Sequence, residues 1–144
     1  MKTRLLLAED HRDIREVLSR QLQLLGYEVV AVAKNGMEAV AMALSEHPDI
    51  ILMDILMPKM DGLEAVSQIR ENPETRQIPV LAVTGWVSSV SRKQYLASGF
   101  DEYIAKPFTH KELQSAMAKL LRGSEEKSET GEFLGGNRDE PKVS

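Results

Sequence analysis

Residues 49–54 read Asp49-Ile50-Ile51-Leu52-Met53-Asp54, in which the unbroken apolar run 50–53 closes on a carboxylate. A strand with one wet face alternates apolar and polar residues. A strand buried on both faces does not, and that state belongs to parallel sheets covered by helices on each side. The spacing predicts a strand over Asp49–Met53 with Asp54 just past its end. Three other runs end the same way: Leu5-Leu6-Leu7-Ala8 before Glu9-Asp10, Val80-Leu81-Ala82-Val83 before Thr84, and Asp101-Glu102-Tyr103-Ile104-Ala105 before Lys106. As parallel strands, all four deliver their polar ends to the same sheet edge, where open α/β folds build their sites.

Helical patterns fill the intervals. Ile14, Val17, Leu18, Leu22 and Leu25 form the apolar stripe expected of the first helix, which Gly26 stops. Tyr27–Ala33 is the expected second strand. Asn35-x-x-Glu38 opens the next helix, with Val40, Ala43 and Leu44 as its stripe and Pro48 as its limit. A loop holding Pro58, Asp61 and Gly62 leads to a third helix carrying Leu63, Val66 and Ile69. Ile78–Val83 is the expected fourth strand. Ser88, Ser89 and Ser91 dilute the apolar face of the helix that follows it, which Gly99 ends. Thr109-x-x-Glu112 is a capping box for a last helix with Leu113, Met117, Leu120 and Leu121. Five strand–helix units with short links predict a doubly wound, five-stranded parallel sheet with right-handed crossovers. The matching order is the flavodoxin-like 2-1-3-4-5. The domain is expected over residues 1–122, followed by a disordered acidic tail over 123–144.

The 144 residues suffice for one domain, and the absence of cysteine excludes disulfides, thiolate metal sites and thiol catalysis. The chain carries 18 basic and 22 acidic residues; residues 123–144 hold six acidic and three basic of these, which leaves the rest nearly neutral. No basic face of nucleic-acid-binding strength results, and neither nucleic acid nor membrane is an expected partner.

Glu9, Asp10 and Asp54 crowd negative charge at neighbouring strand ends, an arrangement that calls for a compensating cation. Oxygen-only ligands suit a hard ion, Mg²⁺ or Mn²⁺. A plainer reading of Asp10 is an N-cap of the first helix, and one oxygen is enough for that. Lys106 reaches inward toward Asp54 or an added phosphoryl group, and a cis Lys106–Pro107 bond would pin its direction. Thr84 alone is an ordinary strand threonine, raised in rank only by its place at a strand end. His11, His47 and His110 lie apart from one another and are expected at the surface.

Taken together, Glu9-Asp10, the stretch Met53-Asp54-Ile55-Leu56-Met57-Pro58-Lys59-Met60-Asp61-Gly62, Thr84-Gly85 and Lys106-Pro107-Phe108 resemble the signature of a response-regulator receiver domain of two-component signalling, over residues 4 to 122. The resemblance implies that Asp54 accepts a phosphoryl group from a phosphohistidine on a sensor histidine kinase or histidine phosphotransfer protein. It implies Mg²⁺ held by Asp10, Asp54 and the backbone carbonyl of Leu56, with Glu9 acting through metal-bound water. Lys106 and Thr84 would contact the phosphoryl oxygens, and Tyr103 would be an aromatic switch that fills space left by Thr84. Leu56 and Trp86 flank the expected approach of hydrolytic water and are expected to slow loss of the phosphoryl group. A cytoplasmic, stand-alone regulator is expected, its output a contact of the fourth helix, fifth strand and fifth helix with a downstream protein. Relay to a histidine phosphotransfer protein is the alternative.

Rival classes are less well served. A haloacid-type phosphatase needs a second Asp two residues after the first, where this chain has Leu56. A nucleotide or flavin site wants phosphate-cradling residues after the first strand, and Ala8-Glu9-Asp10-His11 offers negative charge instead. A receiver working as a phosphorylation-independent binding module also remains open, and it is the reading that a phosphorylation assay excludes.

Overall fold

The computed structural model describes residues 2–85 and 92–134, with Arg92 and residues 124–134 as backbone only. The elements run β1 (Arg4–Ala8), α1 (Arg12–Leu24), β2 (Glu28–Ala33), α2 (Gly36–Glu46), β3 (Ile50–Asp54), α3 (Gly62–Glu71), β4 (Val80–Thr84), α4 (Arg92–Ala97), β5 (Glu102–Ala105) and α5 (His110–Leu134). The strands form one sheet in the order β2-β1-β3-β4-β5, every pair parallel. This is the expected flavodoxin-like order.

All five residues of β3 and all five of β4 are buried, which explains their lack of alternation. Their side chains divide between two cores. Leu6, Ile51, Met53 and Ala82 face Ala39, Ala65, Ile69 and Tyr95 beneath α2, α3 and α4. Leu5, Leu7, Ile50, Leu52 and Leu81 face Leu18, Leu22, Leu113 and Met117 beneath α1 and α5. Period-two alternation thus persists in the central strands, with both faces apolar.

Local chemistry starts the helices. The Asn35 side chain accepts from the Glu38 N–H at 2.8 Å, while the Glu38 carboxylate reaches back to the Lys34 N–H at 2.8 Å. Asp61 accepts from the Glu64 N–H at 2.9 Å. Thr109 and Glu112 make the full reciprocal capping box at 3.0 and 2.8 Å.

Three expectations need correction. Of the α1 stripe, Leu18 and Leu22 are buried, but Ile14 is 41% and Val17 62% exposed, because they line an open groove beside Lys106, Pro107 and Phe108. Asp10 does not cap α1: the N-cap is His11, and no side-chain cap bond forms there. Finally, α5 continues to Leu134, beyond the expected limit at Arg122. Residues 124–129 read Ser-Glu-Glu-Lys-Ser-Glu, rich in good helix formers, and extending an existing helix needs no new nucleus. Residues 135–144 lie outside the described residues.

Candidate functional site

The parallel register sets the strand ends side by side: Ala8 pairs with Met53, Asp54 with Val83, and Thr84 with Ala105. The last residue of β3 and β4 and the residue after β1 and β5 therefore arrive at one cleft. Glu9 follows β1 and is 1% exposed, Asp54 closes β3 at 5%, and Thr84 closes β4 at 0%. Lys106, just past β5, donates to Glu9 Oε1 at 3.1 Å and to Asp54 Oδ2 at 3.3 Å. The Lys106–Pro107 peptide is cis.

Electrostatics follow from this three-sided contact. Burial and the neighbouring Glu9 charge push Asp54 up to about 6, against the opposing pull of Lys106. For Glu9, burial also raises the pKa, but the backbone N–H of His11 and the Lys106 ammonium outweigh it and leave the group below its ordinary range. Burial disfavours the charged form of Lys106, yet Asp54 and Glu9 overcome it and hold the ammonium above its usual pKa.

The loop after β3 is set by close backbone packing. Gly62 donates to the Ile55 carbonyl at 2.7 Å, and Gly36 donates to the Met60 carbonyl at 2.9 Å. A Cβ on Gly62 would lie 2.6 Å from the Asp54 carbonyl oxygen, so only glycine lets α3 start this close to the acceptor strand. The Leu56 N–H points at Asp54 Oδ1 at 3.4 Å, and the Leu56 side chain stands 55% exposed at the mouth of the cleft.

Asp10 tests the fit of a cation. Its Oδ1 is buried without a hydrogen-bond partner, and His11 Nδ1, 3.4 Å away, lacks hydrogen-bond geometry. A buried carboxylate oxygen left unpaired is costly, and a hard cation would satisfy it. Among the described residues, Glu9, Asp10 and His11 each offer a ligand atom within 4.8 Å of the others, whereas Asp54 is turned toward Lys106. The Glu9 and Asp10 carboxylates of this set fit a hard divalent ion, to which the His11 nitrogen adds nothing.

His11 was expected at the surface. Its side chain is 66% exposed, but its Nδ1 lies 3.2 Å from Glu9 Oε2. Its position directly after the acidic pair was the signal for that contact. Tyr95 escaped sequence reasoning altogether. It is fully buried on α4, its hydroxyl donates to Thr84 Oγ1 at 3.4 Å, and its ring lies 5.0 Å from that of Tyr103. A tyrosine on a six-residue helix gives no periodic signal that marks it as core. Trp86 lies outside the described residues.

Comparison with known proteins agrees with this geometry. Residues 5–118 match the family model described as "Response regulator receiver domain". The chain is 39% identical over 122 residues to "Response regulator MprA" of Mycobacterium ulcerans, covering 85% of this chain and 51% of that protein. It thus spans about half the length of the curated relatives it matches. Among solved structures, the receiver domain of the sensor histidine kinase PA1611 of Pseudomonas aeruginosa, with a magnesium ion coordinated in its active-site cleft, is 35% identical with a TM-score of 0.75, covering 87% of this chain and 99% of that one. Vibrio cholerae chemotaxis protein CheY4 is 31% identical with a TM-score of 0.76, covering 83% and 99%. Among the described residues, no helix is long and apolar enough to cross a membrane. The match over residues 5–118, with the sheet order and strand-end cluster just described, places this chain in the response-regulator receiver family.

Proposed function

We propose that Asp54 accepts a phosphoryl group from a phosphohistidine on a sensor histidine kinase or histidine phosphotransfer protein, and that the acyl phosphate switches a protein contact. The observation that carries this reading is the partly buried contact of Asp54 and Glu9 with a single ammonium, Lys106. An Asp54 oxygen bonds to phosphorus as the phosphorus–nitrogen bond of the donor breaks, and that electron pair returns to the imidazole. The transition state spreads charge over three phosphoryl oxygens. Lys106 leaves Asp54 Oδ2 to pair with one of them, and the Thr84 hydroxyl donates to another. Glu9, Asp10, Asp54 and the Leu56 carbonyl would hold Mg²⁺ (or Mn²⁺), which supplies further charge neutralisation when bound. The exposed Ile14 and Val17 line a groove of about 600 Å³ with Lys106, Pro107 and Phe108, a surface on which a donor protein can rest beside the acceptor.

Output passes through the face of α4, β5 and α5. In support, Tyr103 is half-buried on β5 with its ring against Tyr95, and a groove of about 800 Å³ between β5 and α5 runs past Tyr103, Lys111 and Lys119. Relay onward to a histidine phosphotransfer protein uses the same acceptor chemistry. The apolar Leu56 side chain at the cleft mouth shields the acyl phosphate, and Trp86, two residues after Thr84 in the sequence and outside the described residues, is proposed as a second shield. Leu56→Asn/Trp86→Glu is expected to shorten the acyl-phosphate lifetime; an unchanged lifetime would remove the shielding role.

Intact mass after incubation with a small phosphodonor, with and without Mg²⁺ and beside Asp54→Ala, tests the central reading. The expected result is a gain of one phosphoryl group that requires both Mg²⁺ and Asp54. No gain by the folded, metal-loaded chain would leave the phosphorylation-independent binding module. A gain that survives Asp54→Ala would assign the acceptor to another residue.

A further inference from the structure

Tyr95 has no part in the chemistry described above, yet it touches both moving parts of the proposed switch. Its side chain is fully buried, its hydroxyl donates to Thr84 Oγ1 at 3.4 Å, and its ring packs on Tyr103 with centroids 5.0 Å apart at 37°. Phe100 meets the same ring edge-on at 6.2 Å. Thr84 is itself fully buried, so the hydroxyl-to-hydroxyl contact lies inside the core rather than in the open cleft.

We propose that Tyr95 is a positioning residue that holds Thr84 in its resting position and ties that position to Tyr103 and α4. The inference rests on the receiver reading of Asp54 and Thr84. At 3.4 Å the Tyr95–Thr84 contact is already longer than the roughly 2.5–3.0 Å of an ordinary bond between two hydroxyls, so it is a weak one. A swing of Thr84 Oγ1 toward a phosphoryl group therefore breaks it. The resting state holds the Tyr95 contact, and the phosphorylated state replaces it with a phosphoryl contact. Because Tyr95 and Tyr103 stack, loss of the Thr84 contact frees a pair of rings rather than one. Phosphorylation thereby reaches α4 through Tyr95 as well as β5 through Tyr103. A ligand can shift such an equilibrium only by its differential affinity for the two states, so removing the resting-state bond should favour the phosphoryl-like state.

Tyr95→Phe removes the hydroxyl and keeps the ring packing. The readout is affinity for beryllofluoride, a tetrahedral phosphoryl mimic, measured by calorimetry in saturating Mg²⁺ for the parent chain, Tyr95→Phe, Thr84→Val and the double variant. One neutral hydrogen bond corresponds to about a two- to tenfold change in affinity. Tyr95→Phe is expected to bind beryllofluoride more tightly by about that factor, and to make no difference in the Thr84→Val background. A purely structural tyrosine would not produce this background dependence. Equal or weaker binding by folded Tyr95→Phe overturns the inference, as does the same gain in both backgrounds. A parent chain that takes up no beryllofluoride overturns the receiver reading together with it. A parent that binds while Tyr95→Phe binds no tighter overturns this inference alone.

Discussion

Asp54 is held in an unfavourable balance that its own substitution can expose. Its folded pKa is pushed up to about 6 from an ordinary 3.8, first by burial and then by Glu9. A carboxyl with a raised folded pKa binds more protons in the native state than in the unfolded chain between those values. Its stabilising contribution is complete below about pH 4 and is lost as pH rises through about 6. Above that, a charged Asp54 next to charged Glu9 weighs against the fold, with one ammonium shared between them. Asp54→Asn is therefore expected to stabilise the metal-free chain at pH 8 relative to pH 4, by about 1–2 kcal/mol after allowance for the lost Lys106 pairing. Melting curves of the two chains from pH 4 to 8 check this; a Tm difference that stays flat or narrows with pH refutes it. At this scale the sequence identified the side chains but not their partners. Glu9 and Asp54 are far apart in the chain, and only folding shows that both grip the same nitrogen.

Two elements carry constraints that local patterning does not register. Arg70, on the last turn of α3, donates to the carbonyls of Gly99 at 2.9 Å, Arg76 at 2.7 Å and Ile78 at 2.7 Å, and to Asp101 Oδ2 at 2.8 Å. The same Asp101 oxygen accepts from the Val80 N–H at 2.8 Å. One guanidinium thus fastens the end of α3 to the starts of β4 and β5. Arg70→Ala is expected to cost about 2–4 kcal/mol in urea unfolding, and Arg70→Lys to recover only a small part of it, because an ammonium cannot reproduce the planar fork. A loss below 1 kcal/mol would make the network incidental. Glycines next to the site differ for a similar reason. An alanine at Gly62 would place Cβ 2.6 Å from the Asp54 carbonyl oxygen and 2.9 Å from Ile55 Cα, both backbone atoms, whereas at Gly85 the nearest atom is Lys106 Cβ at 4.0 Å. Gly62→Ala is expected to destabilise by about 1–3 kcal/mol and to slow phosphorylation, while Gly85→Ala stays within about 0.5 kcal/mol. Comparable losses in the two variants would contradict the crowding at Gly62. In α1, amphipathic spacing correctly marks Leu18 and Leu22 as core but cannot tell that Ile14 and Val17 line an open groove, since periodicity gives a face and not the extent of what covers it.

For the whole molecule, cation binding and folding are linked through the cleft. An ion that binds only the assembled strand ends stabilises the fold by about 2.7 kcal/mol at a hundredfold excess over Kd. Mg²⁺ is therefore expected to raise the Tm of the parent chain but not that of Asp10→Asn, read by thermal melts with and without the metal. An equal rise in both would move the ion away from Asp10. By itself the sequence determined the doubly wound architecture and the roster of polar strand ends. An apolar run without alternation can be satisfied only between two helical layers, and short strand–helix links allow little but parallel right-handed crossovers. It also determined the capped starts of α2 and α5, because those signals span four residues. Tertiary structure alone decided that Lys106 bridges Glu9 and Asp54, that Asp10 Oδ1 lies buried without a hydrogen-bond partner, and that Tyr95 of α4 meets Thr84 in the core. The Lys106 contacts join residues 97 and 52 positions apart and the Tyr95–Thr84 contact joins two that are 11 apart, so they follow from strand register and helix packing, which no local pattern encodes.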